Sequence, residues 1–208
     1  GNTYQAAFTE SSPVSTFNSG NQILLNASGS LQIDNRILTY MDNQWKAENE
    51  FSWSDLTGKT NVTAVYPVYP DLDYVQENLY KNNSLEDILY VKDEFPAGNS
   101  IHLQFKHLFS LLTLHLEGNL QTYFQKIEVT CPAVSSIIPK SAEIVLADNG
   151  THTTTIAQVS PSGNYSFIVP PVGNMVIAIN MVTNGKKYTT QLETKSFTGN
   201  KEYTYHLK

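Results

Sequence analysis

Residues 101–117 read IHLQFKHLFSLLTLHLE, and the reading of this stretch decides the fold. Ile101, Leu103 and Phe105 share odd parity, whereas Leu108, Leu112, Leu114 and Leu116 are even. A strand places alternate residues on opposite faces, so a parity change near His107 demands a bulge or a bend there. Helical spacing also fits part of the stretch, through Phe105, Leu108, Phe109, Leu112 and Leu116. The alternation favours the bent strand, and the helix stands as the alternative. If the segment is strand, the chain is left with almost no helix.

The sequence downstream points the same way. Tyr203, Tyr205 and Leu207 alternate with Glu202, Thr204 and His206, as a half-buried strand requires. Asn184-Gly185 between two strand-like runs predicts a hairpin, because both residues tolerate the positive φ of a type I′ turn. Asp148-Asn149-Gly150 predicts another, between residues 143–147 and 153–159. Tyr165, Phe167 and Val169 alternate until Pro170-Pro171 stops the run. Met175, Ile177, Ile179 and Met181 form a further apolar row. About seven short strands follow residue 123, the spacing of an all-β sandwich.

Upstream, residues 23–26, 31–34 and 37–41 read as short strands joined by Gly/Ser/Asn turns. Val62, Ala64, Tyr66 and Val68 alternate across Pro67. One helical candidate lies within residues 71–90, where Ser84-Leu85-Glu86-Asp87 resembles a capping box. Gly118-Asn119 closes the decisive segment, and a boundary there predicts one domain over residues 1–122 and a second over 123–208.

Composition narrows the function. The 208 residues are 40% hydrophobic and 15% charged, which excludes the low-hydrophobicity, high-charge signature of disorder. Cys131 is the sole cysteine, so no intramolecular disulfide forms. It shares parity with Ile127 and Val129 and reads as a buried apolar residue. A net charge of −6 argues against nucleic acid, whose binding needs displacing cations. No apolar run approaches the ~20 residues of a membrane-spanning helix. An export signal would lie upstream of Gly1, which reads as a tag-cleavage remnant.

Catalytic and metal patterns are weak. His102, His107, His115, His152 and His206 show no H-E-x-x-H or C-x-x-C spacing. Gly58-Lys59-Thr60 imitates the end of a phosphate loop, but Trp53 stands where that loop needs its first glycine. Asp71 and Asp73 alone make no calcium site. No catalytic, cofactor-binding or metal-binding residue is assigned. Trp45, Trp53, Tyr69 and Tyr74 belong to an aromatic-rich first half that admits a sugar-stacking platform, although packing accounts for it more simply.

Several segments, taken in order, resemble one family. They are FNSGNQI at 17–23, ILTY at 37–40 leading to Gln44-Trp45, VTAVYP at 62–67 and DILY at 87–90. LQFKHLFSLL at 103–112, FIVP at 167–170 and FTGNKEY at 197–203 complete the series. Together they are similar to the fimbrillin-like (Mfa-like, FimA-related) proteins of the Bacteroidetes, over residues 17–207.

The resemblance implies an all-β fold of two tandem transthyretin-like Greek-key β-sandwiches, with one short helical segment in the first. It implies a non-enzymatic, exported cell-surface protein without cofactors, anchored to the outer membrane only through a lipid attached upstream. Its partners would be other pilus subunits or surface proteins, joined by β-strand exchange or edge addition. Tyr4, Ala6 and Phe8 would form a removable first strand, with Tyr203, Tyr205 and Leu207 at the assembling edge. In polymerising members an arginine-specific protease frees that edge near the mature N-terminus. Here the sole arginine, Arg36, lies in an expected hairpin beyond the opening strands, and Lys208 directly follows the last strand pattern. These departures imply an accessory, anchor or tip subunit rather than a repeating stalk. The alternative is a surface lipoprotein binding a glycan or host ligand through the first-half aromatics.

Overall fold

A computed structural model of the chain describes residues 16–48, 58–97, 101–193 and 197–208. The fold is all-β. Strand β1 (Gln22–Gly29) pairs antiparallel with β2 (Ile33–Met41), which turns through Asp42-Asn43 into β3 (Gln44–Ala47). Both turn residues have positive φ, 52° and 60°, as a two-residue primed turn requires. The two short strands expected over 31–34 and 37–41 are one strand with a bulge. Asn35 takes φ 50° there, and its N–H donates to Asn26 Oδ1 at 2.8 Å.

Strand β4 (Thr60–Tyr66) lies on the other side of β1 and is followed by a 3₁₀ turn, Pro70–Leu72, and a one-turn helix α1 (Gln76–Leu79). The capping-box reading of Ser84 is corrected. Tyr80–Lys81 (β5) and Ser84–Leu85 (β6) form a miniature hairpin around Asn82-Asn83, both at positive φ. Two asparagines that tolerate the left-handed region outweigh the local helical pattern. Strand β7 (Leu89–Phe95) returns to pair with β4, and β8 (Lys106–His107) pairs with β7. The result is a six-stranded sheet in the order β3-β2-β1-β4-β7-β8.

Of the decisive stretch, residues 101–105 are not in a strand, Lys106–His107 and the residues from Ser110 to Leu116 are strand, and the break between these two falls where the parity changes. After His107 the chain leaves the first sheet and enters β9 (Ser110–Leu116), the centre of a second, three-stranded sheet. A short helix α2 (Asn119–Thr122) leads to β10 (Phe124–Ile138) and β11 (Glu143–Ile156). Strands β12 (Asn164–Val169), β13 (Val176–Thr183), β14 (Lys186–Glu193) and β15 (Glu202–Leu207) complete the chain. Strand β12 is antiparallel to β9, and β15 is parallel to it on the other side. Facing this sheet is a four-stranded one, β11-β10-β13-β14. The Asn184-Gly185 hairpin joins β13 to β14 as expected, with Thr183 opposite Lys186. The hairpin expected at Asp148-Asn149-Gly150 is instead a bulge inside the continuous strand β11. The register jumps from Pro132↔Thr151 to Val134↔Leu146 across it, and Asn149 takes φ 53°.

Three apolar clusters hold these layers. Ile23, Leu25, Ala27, Val62, Ala64 and Val91 cover one face of the six-stranded sheet. Leu24 and Val65, on its other face, join a central cluster with Tyr69, Tyr74, Phe109 and Val134. Strands β1 and β4 are thus covered on both sides, and their burial is continuous rather than alternating. Leu112, Leu114, Tyr165, Phe167, Ile127, Val129 and Ile179 fill the space between the three- and four-stranded sheets, which form a sandwich. Strand β9 precedes the division expected at 122/123, yet it supplies the middle strand of this second sandwich.

Candidate assembly edge

Strand β15 is an edge strand. Tyr203 lies opposite Leu112, Tyr205 opposite Leu114 and Leu207 opposite Leu116, so all three expected assembly residues face the sandwich core. All three are only half-buried, whereas their β9 partners are fully buried. Phe197 stacks on Tyr203 with centroids 4.1 Å apart and planes 3° from parallel. Leu111 N–H donates to the Lys201 carbonyl, and Glu117 N–H donates to that of Leu207. In a parallel ladder alternate residues bond to the same side, so the backbone groups of Thr204 and His206 point away from β9. Among the described residues no strand pairs with that outer side.

The facing sheet shows the complementary gap. Ile177, Ile179 and Met181 of β13 are buried, and their partners on β14, Leu192, Thr190 and Tyr188, share the same face. Yet Tyr188 is 45% exposed, and β14 is exposed along nearly its whole length. Strand β12 packs beside the β5–β6 hairpin, which also bonds β11 through Asn83, so β12 lies over the β11 side and β15 over the β14 side. Among the described residues, three strands facing four leave β14 uncovered next to β15.

The remaining expected residues divide. Tyr4, Ala6, Phe8 and Trp53 lie outside the described residues. Tyr69 and Tyr74 are 4% and 2% exposed, with rings packed edge-to-face at 5.1 Å. Tyr74 Oη donates to the Pro67 carbonyl at 2.6 Å. Burial pushes both phenols well above their ordinary pKa, and neither ring face is open to a sugar. For this pair the simpler packing account applies and the platform alternative does not: they are core. Trp45 is half-buried among Phe17, Tyr40 and Phe105, with ring centroids 4.9, 5.0 and 5.9 Å away.

The crossover from β8 to β9 is pinned by polar contacts. His107 Nδ1 lies 2.9 Å from both carboxylate oxygens of Asp87, and both residues are buried. Its backbone N–H donates to Asn200 Oδ1, and Ser110 Oγ donates to the Thr198 carbonyl. Gly199 lies so close that a Cβ there would meet the Leu108 carbonyl oxygen at 2.6 Å. Cys131 is buried between the sheets, and its thiol is pushed up to about 12 by that burial. His115, Glu117 and His206 alone, among the described residues, bring at least three His, Cys or carboxylate donors within 4.8 Å of one another. Sequence spacing missed them because only the parallel β9–β15 register sets His206 beside His115.

The fimbrillin-like family profile matches residues 5–208. The chain belongs to the fimbrillin-like family. Solved structures agree on the fold. A proposed cell adhesion protein from Bacteroides ovatus superimposes with a TM-score of 0.63 at 14% identity, covering 91% of this chain and 82% of its own. A second, from Bacteroides uniformis, gives 0.62 at 11% identity, covering 92% and 87%. A fimbrial protein from Bacteroides ovatus gives 0.50 at 14% identity, covering 93% of this chain and 44% of its own. No curated protein matches the chain. This fimbrillin-like protein is thus a non-enzymatic cell-surface protein of the pilus type. No helix among its described residues is long and apolar enough to cross a membrane.

Proposed function

We propose that this fimbrillin-like protein is an accessory, anchor or tip component of a pilus, joined to its neighbour by addition of a β-strand along the outer edge of β15. The single observation that carries this reading is the matched gap among the described residues: an unpaired edge at β15 beside half-covered Tyr203, Tyr205 and Leu207, opposite the uncovered inner face of β14. A strand laid there would satisfy the outward backbone groups of Thr204 and His206 and cover apolar surface on both sheets. The two structural units then divide between β8 and β9 rather than after residue 122. The accessory role is supported by Arg36, which sits within β2 opposite Leu25, inside the sheet. Cleavage after it would split β2 rather than free a strand ahead of β1. Attachment to the outer membrane would come through a lipid upstream of the first strand.

The test mixes the full chain, and the chain trimmed before Phe17, with pilus subunits from the same bacterium and scores SDS-resistant ladders. Thr204→Pro removes one outward N–H and leaves the β9-facing carbonyls in place, as edge strands allow. Ladders lost in that variant, with thermal stability kept, support edge addition. Ladders formed equally well by the variant, or by neither form of the wild type, count against it.

A further inference from the structure

Strands β9 and β15 carry three metal-ligating side chains to one point on the surface of the second sandwich. His115 and His206 are direct partners in the parallel register, and Glu117 follows His115 by two residues on the same face. The rings meet edge-to-face with centroids 5.1 Å apart. Glu117 Oε1 lies 3.2 Å from His206 Nδ1 and 3.9 Å from His115 Nε2. Around a tetrahedral zinc with bonds of about 2.0–2.1 Å, neighbouring donor atoms stand about 3.3 Å apart. The two separations from Glu117 Oε1 lie close to that spacing, and all three donor atoms lie within 4.8 Å of one another.

A second observation points to a ligand. His115 Nδ1–H donates to Asn164 Oδ1 at 2.7 Å from the neighbouring strand β12. That bond holds the proton on Nδ1 and leaves the Nε2 lone pair aimed at the cluster, the outer-shell arrangement that orients metal-bound histidines. Lys208 Nζ lies 3.7 Å from Glu117 Oε2. Its side chain is 80% exposed and can swing into solvent.

We propose that His115, Glu117 and His206 form a binding site for one divalent ion of the zinc type, which clamps the edge strand β15 to β9. Two imidazoles and a carboxylate suit zinc, and they exclude hard calcium and magnesium, which prefer all-oxygen shells. The ion would tie the half-covered edge strand to the sandwich interior without occupying its outer hydrogen-bonding side.

The experiment is equilibrium dialysis of the tag-free full chain against zinc chloride, alongside His206→Ala, Glu117→Gln and Asn164→Ala. The expected result is one saturable zinc per chain in the wild type. The ligand variants should weaken it by about 100-fold, and Asn164→Ala, which removes no ligand, by about tenfold. Cobalt(II) absorption should show a low-coordinate spectrum in the wild type and not in the ligand variants His206→Ala and Glu117→Gln. Zinc should also slow hydrogen exchange of the β15 amides in the wild type and not in Glu117→Gln. Glu117 is half-buried at the end of β9, and glutamine keeps its size there, so that variant keeps the fold and decides the matter even if His206→Ala unfolds. No saturable site, or equal affinity in Glu117→Gln, overturns the site. Unchanged β15 exchange with zinc bound overturns the clamp.

Discussion

Asp87 and His107 come from two of the motifs by which the chain resembles its family, and they meet at 2.9 Å in a buried setting. His107 and Ser110 in turn hold the loop that carries Thr198, Gly199 and Asn200, a third motif. Residues scattered over more than half the sequence thus converge on the crossover between sheets. The motif order was legible in the sequence; that the motifs touch was not, because nothing local encodes a contact over 93 residues. Removing the carboxylate strands a buried imidazole N–H. Asp87→Ala should cost about 1–3 kcal/mol in chemical denaturation, and an unchanged midpoint would discount the contact. Gly199→Ala should cost a similar ~1–3 kcal/mol, because its methyl meets the Leu108 carbonyl rather than a movable side chain. Thermal melts of the two variants check this.

Among elements, β4, β13, β14 and β15 were readable because each carries its alternation or its turn within a few residues. Asn184-Gly185 holds φ values of 50° and 73°. The turns Asp42-Asn43 and Asn82-Asn83 use the same left-handed geometry without glycine, which is why they were harder to see. The Asp148-Asn149-Gly150 signal was real but misassigned. A left-handed asparagine serves a bulge as well as a hairpin, and only the long partner β10 decides which. Of the candidate assembly residues, the β15 row was legible from alternation, whereas the buried Tyr69 and Tyr74 were not told apart from surface aromatics. Arg36 makes an element-scale prediction. A protease needs an extended, unpaired segment, and Arg36 is paired within β2. An arginine-specific protease should leave the folded chain intact at this bond on a gel and cut it once urea unfolds the sheet. Rapid native cleavage there would contradict the pairing.

At the scale of the whole molecule, Cys131 reports on the second sandwich. Its thiol is pushed up to about 12 from an ordinary 9.0. At pH 8 a thiol reagent should fail to label the folded protein and should label it at the rate of unfolding. The raised value also has a sign for stability. Its contribution is complete below about pH 9 and is lost as pH climbs toward 12, since the unfolded thiol ionises first. Fast labelling of the native protein would show that the sheets part without global unfolding.

The parallel pairing of β15 with β9 has a consequence for how such a chain is made. Thr113 and Glu202 bond across 89 residues, so the sheet centred on β9 stays open on one side while everything between is synthesised. Contacts this distant in sequence are slow to form. The nascent chain therefore cannot lock its second sandwich early. The sheet centred on β9 can close on that side only once β15 has been made.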